Sequence, residues 1–354
     1  MTEQHVAFDQ HGQVGIITLC RPQALNAISL AMIQLIHNQL LIWQIDPNIQ
    51  AVMIESRMPK VFCAGGDIRW LYEAGKKNDA AVQEFFWHEY RLNYYIHNYP
   101  KPYIALLDGL VFGGGVGISL HGSLPIASSR CTVAMPETGI GFFPDIGASY
   151  LLSKCAGAFG QYLGLTGASL NATDAYGCGL VKYLIDSEHF SALKSLLFAT
   201  DLSTNPQHIV ETCIKQFAEA AVSSLNSLLP IHLAALNEIF ALGSVEDIFN
   251  ILCITHEPFL DDIYTKLLKK SPISLKITFK QIQQACKLSL VDCLAMDYCL
   301  AENFLHGQDF YAGVKALLID KNQNPQWQFK SIVDVPESLM AQYFTGSWNK
   351  LNLC

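Results

Sequence analysis

The sequence feature that most constrains the fold is a pattern that occurs twice: an apolar strand, a glycine-rich turn and a helix. The first copy is "VFCAGGDIRWLYEAG", residues 61–75, and the second is "KPYIALLDGLVFGGGVGISLHGS", residues 101–123. Strands that alternate with helices along the chain are typical of α/β proteins. The repeat therefore predicts an α/β core in the first half of the chain.

Flanking patterns extend this prediction. The segment "HVAFDQHGQVGIITL" alternates apolar and polar residues around His11-Gly12, which predicts a β-hairpin. Ser29 precedes the apolar-periodic run "LAMIQLIHNQLLIWQI" and is expected to cap a helix there. Helical patterns dominate after Gly147, and turn formers interrupt them at "TDLSTNPQH". We therefore expect a β/α core over residues 1–200 that holds the active site, and a helix-rich region over residues 201–354.

Composition excludes several classes of protein. The chain has 354 residues, of which 51% are hydrophobic and 15% charged, as expected of a compact globule with a large core. Its formal net charge of −8 argues against nucleic acid as the main partner. No apolar run reaches the length of a membrane span, so no membrane partner is expected.

The cysteines indicate a reducing environment. They number 11, are scattered and contain no C-x-x-C pair, which favours free thiols over disulfides or a zinc site. The start "MTEQHVAFDQHG" lacks the basic and apolar regions of a signal peptide. From these two observations we expect a cytoplasmic protein.

The two glycine turns are candidate anion sites. Each turn ends at a predicted helix N-terminus, where backbone N–H groups have no intrahelical partner. Two such donors converging on one point would form an oxyanion hole for a thioester or ester carbonyl. The alternatives are tight helix–strand packing and a phosphate-binding loop, although neither G-x-x-x-x-G-K-[ST] nor G-x-G-x-x-G is matched.

Two acids stand in the glycine- and proline-rich segment "AMPETGIGFFPDIG", residues 134–147. Glycine and proline oppose a regular helix through Glu137 and Asp145, so a folded-back loop is expected. One interpretation makes both acids local caps, with Asp145 at the N-terminus of a helix beginning near Ile146. The other interpretation brings the two carboxylates together in an active site.

Five segments, in this order, carry a family resemblance: "RPQALNAI", "VFCAGGDI", "LDGLVFGGGVGIS", "MPETGIGFFPDIG" and "LTGASLNATDAYGCGLV". Together they resemble the crotonase (enoyl-CoA hydratase/isomerase) superfamily over most of the first 190 residues. The segments "MPETGIGFFPDIG", "SPISLKIT" and "DFYAGVKALLIDKNQNPQW" are similar to signatures of its 3-hydroxyisobutyryl-CoA hydrolase branch. The resemblance implies an α/β crotonase-like fold: a spiral of β-β-α units with a helical C-terminal region.

The resemblance also implies roles for individual residues. The oxyanion-hole donors would be the N–H groups of Gly66 and Gly114. Where hydratases carry a first catalytic glutamate, this chain has Gly117, which has no acid to offer. Their second glutamate is matched by Glu137, and the hydrolase branch's additional acid is matched by Asp145. This combination departs from the hydratases and agrees with the hydrolases.

Further positions are implied to contact the substrate. Glu89 matches an acid that contacts the acyl portion in the hydrolase branch; the alternative is a solvent-exposed glutamate on a helix. Leu25, Asp67 and Ile68 match positions at which crotonases hold the adenine and pantetheine of CoA. In addition, "KKSPISLK" offers Lys269, Lys270 and Lys276 to the CoA phosphates, and a solvated basic loop is the alternative.

The implied activity is hydrolysis of a short β-hydroxyacyl-CoA thioester, with 3-hydroxyisobutyryl-CoA of valine breakdown as the expected substrate. Glu137 would attack the carbonyl carbon or activate a water, and Asp145 would accept a hydrogen bond from the 3-hydroxyl group. Coenzyme A is part of the substrate, and neither a cofactor nor a metal is expected.

Two other functions remain open. One is an enoyl-CoA hydratase or isomerase that uses Glu137 alone, and the other is a non-catalytic CoA-binding relative. Crotonase relatives are often homo-oligomers, and the predicted helices do not fix a stoichiometry here.

Overall fold

The computed structural model describes residues 5–221, 229–346 and 351–353. The strands are β1 (Val6–His11), β2 (Val14–Leu19), β3 (Ala51–Ser56), β4 (Val61–Cys63), β5 (Tyr103–Leu107), β6 (Leu110–Phe112), β7 (Leu124–Ala127), β8 (Thr132–Ala134), β9 (Leu170–Asn171) and β10 (Tyr183–Leu184). The helices are α1 (Leu30–Ile45), α2 (Ile68–Lys76), α3 (Ala81–His97), α4 (Gly114–Gly117), α5 (Ala148–Leu152), α6 (Phe159–Thr166), α7 (Ala172–Gly177), α8 (Phe190–Ala199), α9 (Pro206–Ala221), α10 (Leu229–Phe240), α11 (Val245–Ile254), α12 (Pro258–Leu267), α13 (Pro272–Ala285), α14 (Leu290–His306), α15 (Asp309–Val314) and α16 (Glu337–Tyr343).

The chain divides into two compact units, each assembled from three separate segments. The sheet unit takes Met1–Asp67, Arg91–Val133 and Leu170–Leu228, and the helical unit takes Ile68–Tyr90, Ala134–Ser169 and Leu229–Cys354. The sequence-based division near residue 200 cuts the chain only once. The expected β/α core over residues 1–200 and helix-rich region over residues 201–354 therefore stay a prediction.

Two sheets build the sheet unit. The larger has the order β1-β2-β3-β5-β7-β10 and the smaller the order β4-β6-β8-β9. Among the described strand pairs of the larger sheet, β1–β2 alone is antiparallel. From β3 to β8, successive strands enter the larger and the smaller sheet in turn. This alternation is the repeated β-β arrangement expected from the sequence.

The core of the sheet unit lies between the larger sheet and the helices α8 and α9. Buried apolar side chains from β2, β3, β5 and β7 pack against Leu193, Leu197, Val210 and Ile214 of those helices. Burying each such side chain contributes about 1.5–3 kcal/mol, which makes this layer a main support of the larger sheet.

Local predictions in the sheet unit are confirmed. The hairpin β1–β2 turns at Gly12, whose φ of +56° lies in the left-handed region. Ser29 caps α1, because its Oγ accepts a hydrogen bond of 3.3 Å from the Met32 N–H.

The helical unit is organised around two buried helices, α13 and α14. Helix α13 packs against α5, α6, α11 and α16. Ser271 caps its N-terminus and Pro272 occupies its first turn, where a missing N–H costs nothing. Helix α14 begins with a capping box between Ser289 and Asp292. Both helices carry polar side chains in their buried faces, and these position the acids described below.

Two general features concern the whole set of described residues. The described cysteines are free thiols, which confirms that expectation. Within the same ranges no helix has the length and apolar character needed to cross a bilayer.

Candidate active site

Two glycine turns lie side by side in the sheet unit. Gly65 has a φ of +112° and Gly113 a φ of +44°, a region that side chains with a Cβ rarely adopt. A Cβ on Gly65 would stand 3.5 Å from the Phe112 carbonyl oxygen and 3.8 Å from the Gly114 nitrogen. The backbones of the two turns therefore approach each other closely, and glycine permits both the approach and the dihedrals.

The predicted oxyanion donors are unengaged backbone groups. Gly114 is the first residue of α4, so its N–H has no partner inside the helix. Gly66 pairs with Ile28 in a parallel bridge in which Ile28 and Asp67 supply the N–H groups. In the ranges that the structure describes, neither the Gly66 nor the Gly114 N–H donates a hydrogen bond. Two donors suited to a carbonyl oxygen are thus present in one unit.

The predicted CoA-contacting residues differ in their exposure and in their contacts. Leu25 has a φ of +51° and is 48% exposed. The Asp67 carboxylate is paired with the Arg21 guanidinium at 2.7 Å, and Arg21 also donates to the Ala27 carbonyl oxygen. The Asp67 side chain therefore fixes the loop that contains Leu25. Ile68 begins α2 in the helical unit.

Three acids are buried in the helical unit. Glu89, on α3, is 2% exposed, and Glu137 and Asp145 are each 7% exposed. Glu137 begins the 3-10 turn Glu137–Ile140, which closes where the Gly141 N–H donates to the Glu137 carbonyl oxygen. The burial of Glu89 excludes the alternative of a solvent-exposed glutamate on a helix face.

The capping interpretation of Asp145 is not supported. The N-cap of α5 is Gly147, and no side chain caps that helix. The Asp145 carboxylate instead accepts a hydrogen bond of 2.8 Å from the Tyr90 hydroxyl. The Oε1 of Glu89 and the Oε2 of Glu137 are buried without a hydrogen-bond partner in the described parts of the chain.

Burial raises the pKa values of all three carboxyl groups, and neighbouring carboxylates raise those of Glu89 and Glu137 further. Burial is the main cause for Glu89, whose pKa lies well above its usual range, and the charges of Asp145 and Glu137 raise it further. Burial and the charge of Asp145 likewise raise the pKa of Glu137. Burial raises the pKa of Asp145 to about 7, and the Tyr90 hydroxyl opposes that rise. Burial and close carboxylates are the means by which proteins raise the pKa values of acids that perform acid–base chemistry.

Two buried polar side chains hold the loop that carries Asp145. Asp297, on α14, accepts hydrogen bonds of 2.7 Å from the Gly147 N–H and from the Gln281 amide. The same amide of Gln281, on α13, donates to the Pro144 carbonyl oxygen at 2.9 Å. The loop is therefore anchored on both sides of Asp145, and Ile146 is held there with a φ of +57°.

Sequence reasoning missed four of these residues: Arg21, Tyr90, Gln281 and Asp297. The available signal was a polar residue inside an apolar helical stretch, as in "CLAMDYCLA". Of the lysines considered for the CoA phosphates, Lys276 is paired with Glu246 and Glu337. Lys269 is exposed, and Lys270 lies next to the turn of Glu137.

Comparison with known proteins agrees with this architecture. A family model described as enoyl-CoA hydratase/isomerase matches residues 14–344. The 3-hydroxyisobutyryl-CoA hydrolase, mitochondrial, of Xenopus tropicalis is 41% identical over 341 residues, which cover 96% of this chain and 88% of the relative. The human protein of the same name is 37% identical over 342 residues, with the same coverage. These relatives are named as mitochondrial, so the expectation of a cytoplasmic protein is wrong.

Solved structures confirm the predicted fold class. The crystal structure of a carnitinyl-CoA dehydratase from Mycobacterium thermoresistibile has a TM-score of 0.91 and 30% identity, and the match covers 99% of both chains. An enoyl-CoA hydratase from Rhodobacter sphaeroides has a TM-score of 0.88 and 31% identity, covering 96% of this chain and 97% of that chain. The chain thus has the crotonase-like α/β fold with a helical C-terminal region.

Proposed function

The chain belongs to the enoyl-CoA hydratase/isomerase family, and we propose that it hydrolyses the thioester of a short β-hydroxyacyl-CoA. The proposed substrate is 3-hydroxyisobutyryl-CoA, an intermediate of valine breakdown. The observation that carries the proposal is that Glu137 and Asp145 belong to one buried acid cluster, together with Glu89. Relatives named 3-hydroxyisobutyryl-CoA hydrolase, at 37–41% identity, support the choice of reaction.

In the proposed mechanism, the thioester oxygen accepts hydrogen bonds from the N–H groups of Gly66 and Gly114. Charge builds up on this oxygen as the carbonyl carbon becomes tetrahedral, so fixed donors stabilise the transition state more than the substrate. Neither N–H donates elsewhere in the described ranges, which leaves both free for this task.

Glu137 has one of two roles. As a nucleophile, its carboxylate attacks the carbonyl carbon, the carbon–sulfur bond breaks, and the CoA thiolate leaves and takes a proton; water then hydrolyses the anhydride. As a general base, it takes a proton from the water that attacks the same carbon. Both roles require the ionised form of Glu137.

Asp145 and Glu89 are proposed to recognise the acyl group. An ionised Asp145 accepts a hydrogen bond from the 3-hydroxyl of the substrate, and the Tyr90 hydroxyl orients this carboxylate. Glu89 contacts the acyl portion and is the second buried acceptor near Asp145. Coenzyme A enters as part of the substrate, with Leu25, Asp67 and Ile68 at its binding positions, and the proposed reaction uses no cofactor or metal.

Hydration of an enoyl-CoA is the second candidate. It is favoured by the structural neighbours, which are named as a carnitinyl-CoA dehydratase and an enoyl-CoA hydratase. Gly117 argues against it, because this residue lies in α4 without a side chain that could transfer a proton. A non-catalytic CoA-binding relative would turn over neither substrate.

Two variants test the proposal. E137Q and D145N keep the size of each side chain and remove its charge. With 3-hydroxyisobutyryl-CoA, we expect thiol release to fall by at least about 10³-fold in E137Q, as for other catalytic groups, and by a smaller factor in D145N. E84Q is the matched control, because Glu84 is an exposed residue on the same helix as Glu89. Near-normal release by E137Q would refute the mechanism.

A further inference from the structure

Lys270 lies where the chain passes from α12 to α13, and this junction is fixed against the turn of Glu137. The Lys270 N–H donates to the Leu267 carbonyl oxygen at 3.0 Å, and the Ser271 N–H donates to the Thr138 carbonyl oxygen at 3.4 Å. The Ser271 hydroxyl donates to Asp309 at 2.5 Å and accepts a hydrogen bond from the Ser274 N–H. The backbone of Lys270 is therefore held in place next to Thr138, the neighbour of Glu137.

The side chain of Lys270 extends along the same turn. A Cβ on Gly139 would lie 3.1 Å from the Lys270 Nζ, and a Cβ on Gly167 would lie 3.4 Å from it. Gly139 belongs to the 3-10 turn Glu137–Ile140, so the ammonium group reaches the turn that presents Glu137. Two glycines leave the space that this ammonium group occupies.

Two lysines near Lys270 in the helical unit are engaged by carboxylates, whereas Lys270 is not. Lys266 forms an ion pair with Asp262, and Lys276 forms ion pairs with two glutamates. The Lys270 ammonium has neither an ion-pair nor a hydrogen-bond partner anywhere in the described ranges, although its side chain is partly buried. A partly buried charge without a direct partner is costly, which calls for a compensating charge nearby.

We infer that Lys270 is a positioning residue whose ammonium charge favours the ionised form of the Glu137 carboxyl group. The inference rests on the proposed function, because both proposed roles of Glu137 need that form. It assigns Lys270 to the electrostatics of the acid cluster rather than to the phosphates of CoA.

The charges around Glu137 explain why such a residue is needed. Glu89 and Asp145 are the acids of the same cluster, and the charge of Asp145 opposes the ionisation of both Glu137 and Glu89. On α15, which packs on the turn, the Asp309 carboxylate is engaged by Ser271 and by the Gln328 N–H. Without a cation, three buried carboxyl groups would hold their protons more tightly.

Besides α15, the helices α6 and α13 pack on the turn Glu137–Ile140, and they add little charge near it. Helix α6 contributes only Tyr162 among titratable residues, and α13 contributes Lys276, which is paired elsewhere, and Lys280, which lies over the Phe344 ring. Lys266 repels Lys270. Among the described residues, the cation that acts on Glu137 is thus Lys270, at the junction of α12 and α13.

The pKa values agree in direction. Burial lowers the pKa of Lys270 to about 8, and the charge of Glu137 opposes that fall. Lys270 in turn lowers the pKa of Glu137 against the effects of burial and Asp145. At neutral pH Lys270 is therefore mostly protonated and can stabilise the Glu137 carboxylate.

The test compares the dependence of thiol release on pH in four proteins. K270M removes the charge and keeps the length of the side chain, and K270R keeps the charge. K269M is the matched control, because Lys269 is the exposed neighbour whose carbonyl oxygen, not its ammonium group, contacts Trp327. An opposite charge a few ångströms away shifts a carboxyl pKa by about one unit or more.

In K270M we expect the acid limb of kcat to move to higher pH by about one unit, so that the rate on that limb falls about tenfold. K270R and K269M should follow the wild type. An unmoved acid limb in K270M would overturn the inference, and so would a K270R variant that shifts like K270M, because the effect would then not come from the charge.

A measurement without substrate separates this inference from the proposed function. Side-chain carboxyl carbons of 13C-labelled glutamate are titrated by NMR, with E137Q used to assign the Glu137 signal. The expected result is a higher pKa of Glu137 in K270M, and in K270Q should K270M not fold. An unchanged pKa would refute the role of Lys270 even if the wild type hydrolyses the thioester. Conversely, a shifted pKa in a protein that releases no thiol would refute only the proposed function.

Discussion

Replacing Asp145 with asparagine should change how stability depends on pH. Burial raises the pKa of Asp145 from its usual 3.8 to about 7, so the folded protein favours the protonated form. The stabilisation from this proton is complete below pH 3.8 and is lost as the pH rises through 7. Asparagine has no proton to lose, and its side-chain oxygen can still accept the hydrogen bond from Tyr90.

The size of the effect follows from the pKa shift. Between pH 5.5 and pH 8, loss of the Asp145 proton lowers the free energy of unfolding by about 2 kcal/mol. For a chain of 354 residues the entropy of unfolding is about 0.7 kcal/mol per kelvin, so the change in Tm is about 3 °C.

Scanning calorimetry of wild type and D145N at several pH values from 5.5 to 8 measures this effect. The Tm of D145N relative to wild type should rise by about 3 °C or more over that range. D262N is the matched control, because Asp262 is an exposed acid paired with Lys266 on α12, and it should show no such trend. Parallel Tm curves for wild type and D145N would refute the argument that Asp145 is buried with a raised pKa.

Three further substitutions probe the site. Y90F removes the hydroxyl that lowers the pKa of Asp145, so the acid limb of thiol release should move to higher pH by about half a unit, and an unmoved limb would contradict the Tyr90–Asp145 contact. G141A places a Cβ 2.1 Å from the Asp309 carbonyl oxygen at a φ of +71°, so the Tm of this variant should fall by at least about 3 °C. G179A is the control, because Gly179 has a similar φ of +76° but open space around it, and its Tm should fall by less. G115A places a Cβ 2.8 Å from the Cys63 Cβ, which should displace α4. We expect kcat to fall by about tenfold or more while the protein stays folded, and an unchanged kcat would argue against a role of this turn.

The sequence predicted the features that depend on neighbouring residues. The hairpin at Gly12, the cap at Ser29 and the turns at Gly65 and Gly113 follow from local rules for φ and for helix termini, and the structure has them. The same local reasoning offered Asp145 a role as a helix cap, because the spacing alone allowed it. The structure gives that position to Gly147.

Contacts between distant residues could not be predicted in this way. Tyr90 and Asp145 are 55 positions apart, and Gly147 and Asp297 are 150 positions apart. No periodicity or motif specifies such pairs, since they depend on how helices pack in the finished unit. Lys270 was considered only for phosphate binding, because its sequence context shows a basic segment and not the neighbouring acid.

The prediction of a cytoplasmic location was wrong because it depended on the free cysteines and on the N-terminal residues. Free cysteines indicate a reducing environment and do not distinguish one reducing compartment from another.

The most direct test of the central claim uses the wild-type protein with two substrates. Thiol release from 3-hydroxyisobutyryl-CoA is followed in parallel with the loss of enoyl absorbance from crotonyl-CoA. The proposed chemistry predicts rapid thiol release and no hydration, because Glu137 and Asp145 are buried together while Gly117 offers no second proton-transfer group. Hydration of crotonyl-CoA without thiol release would contradict it and would make the protein a hydratase.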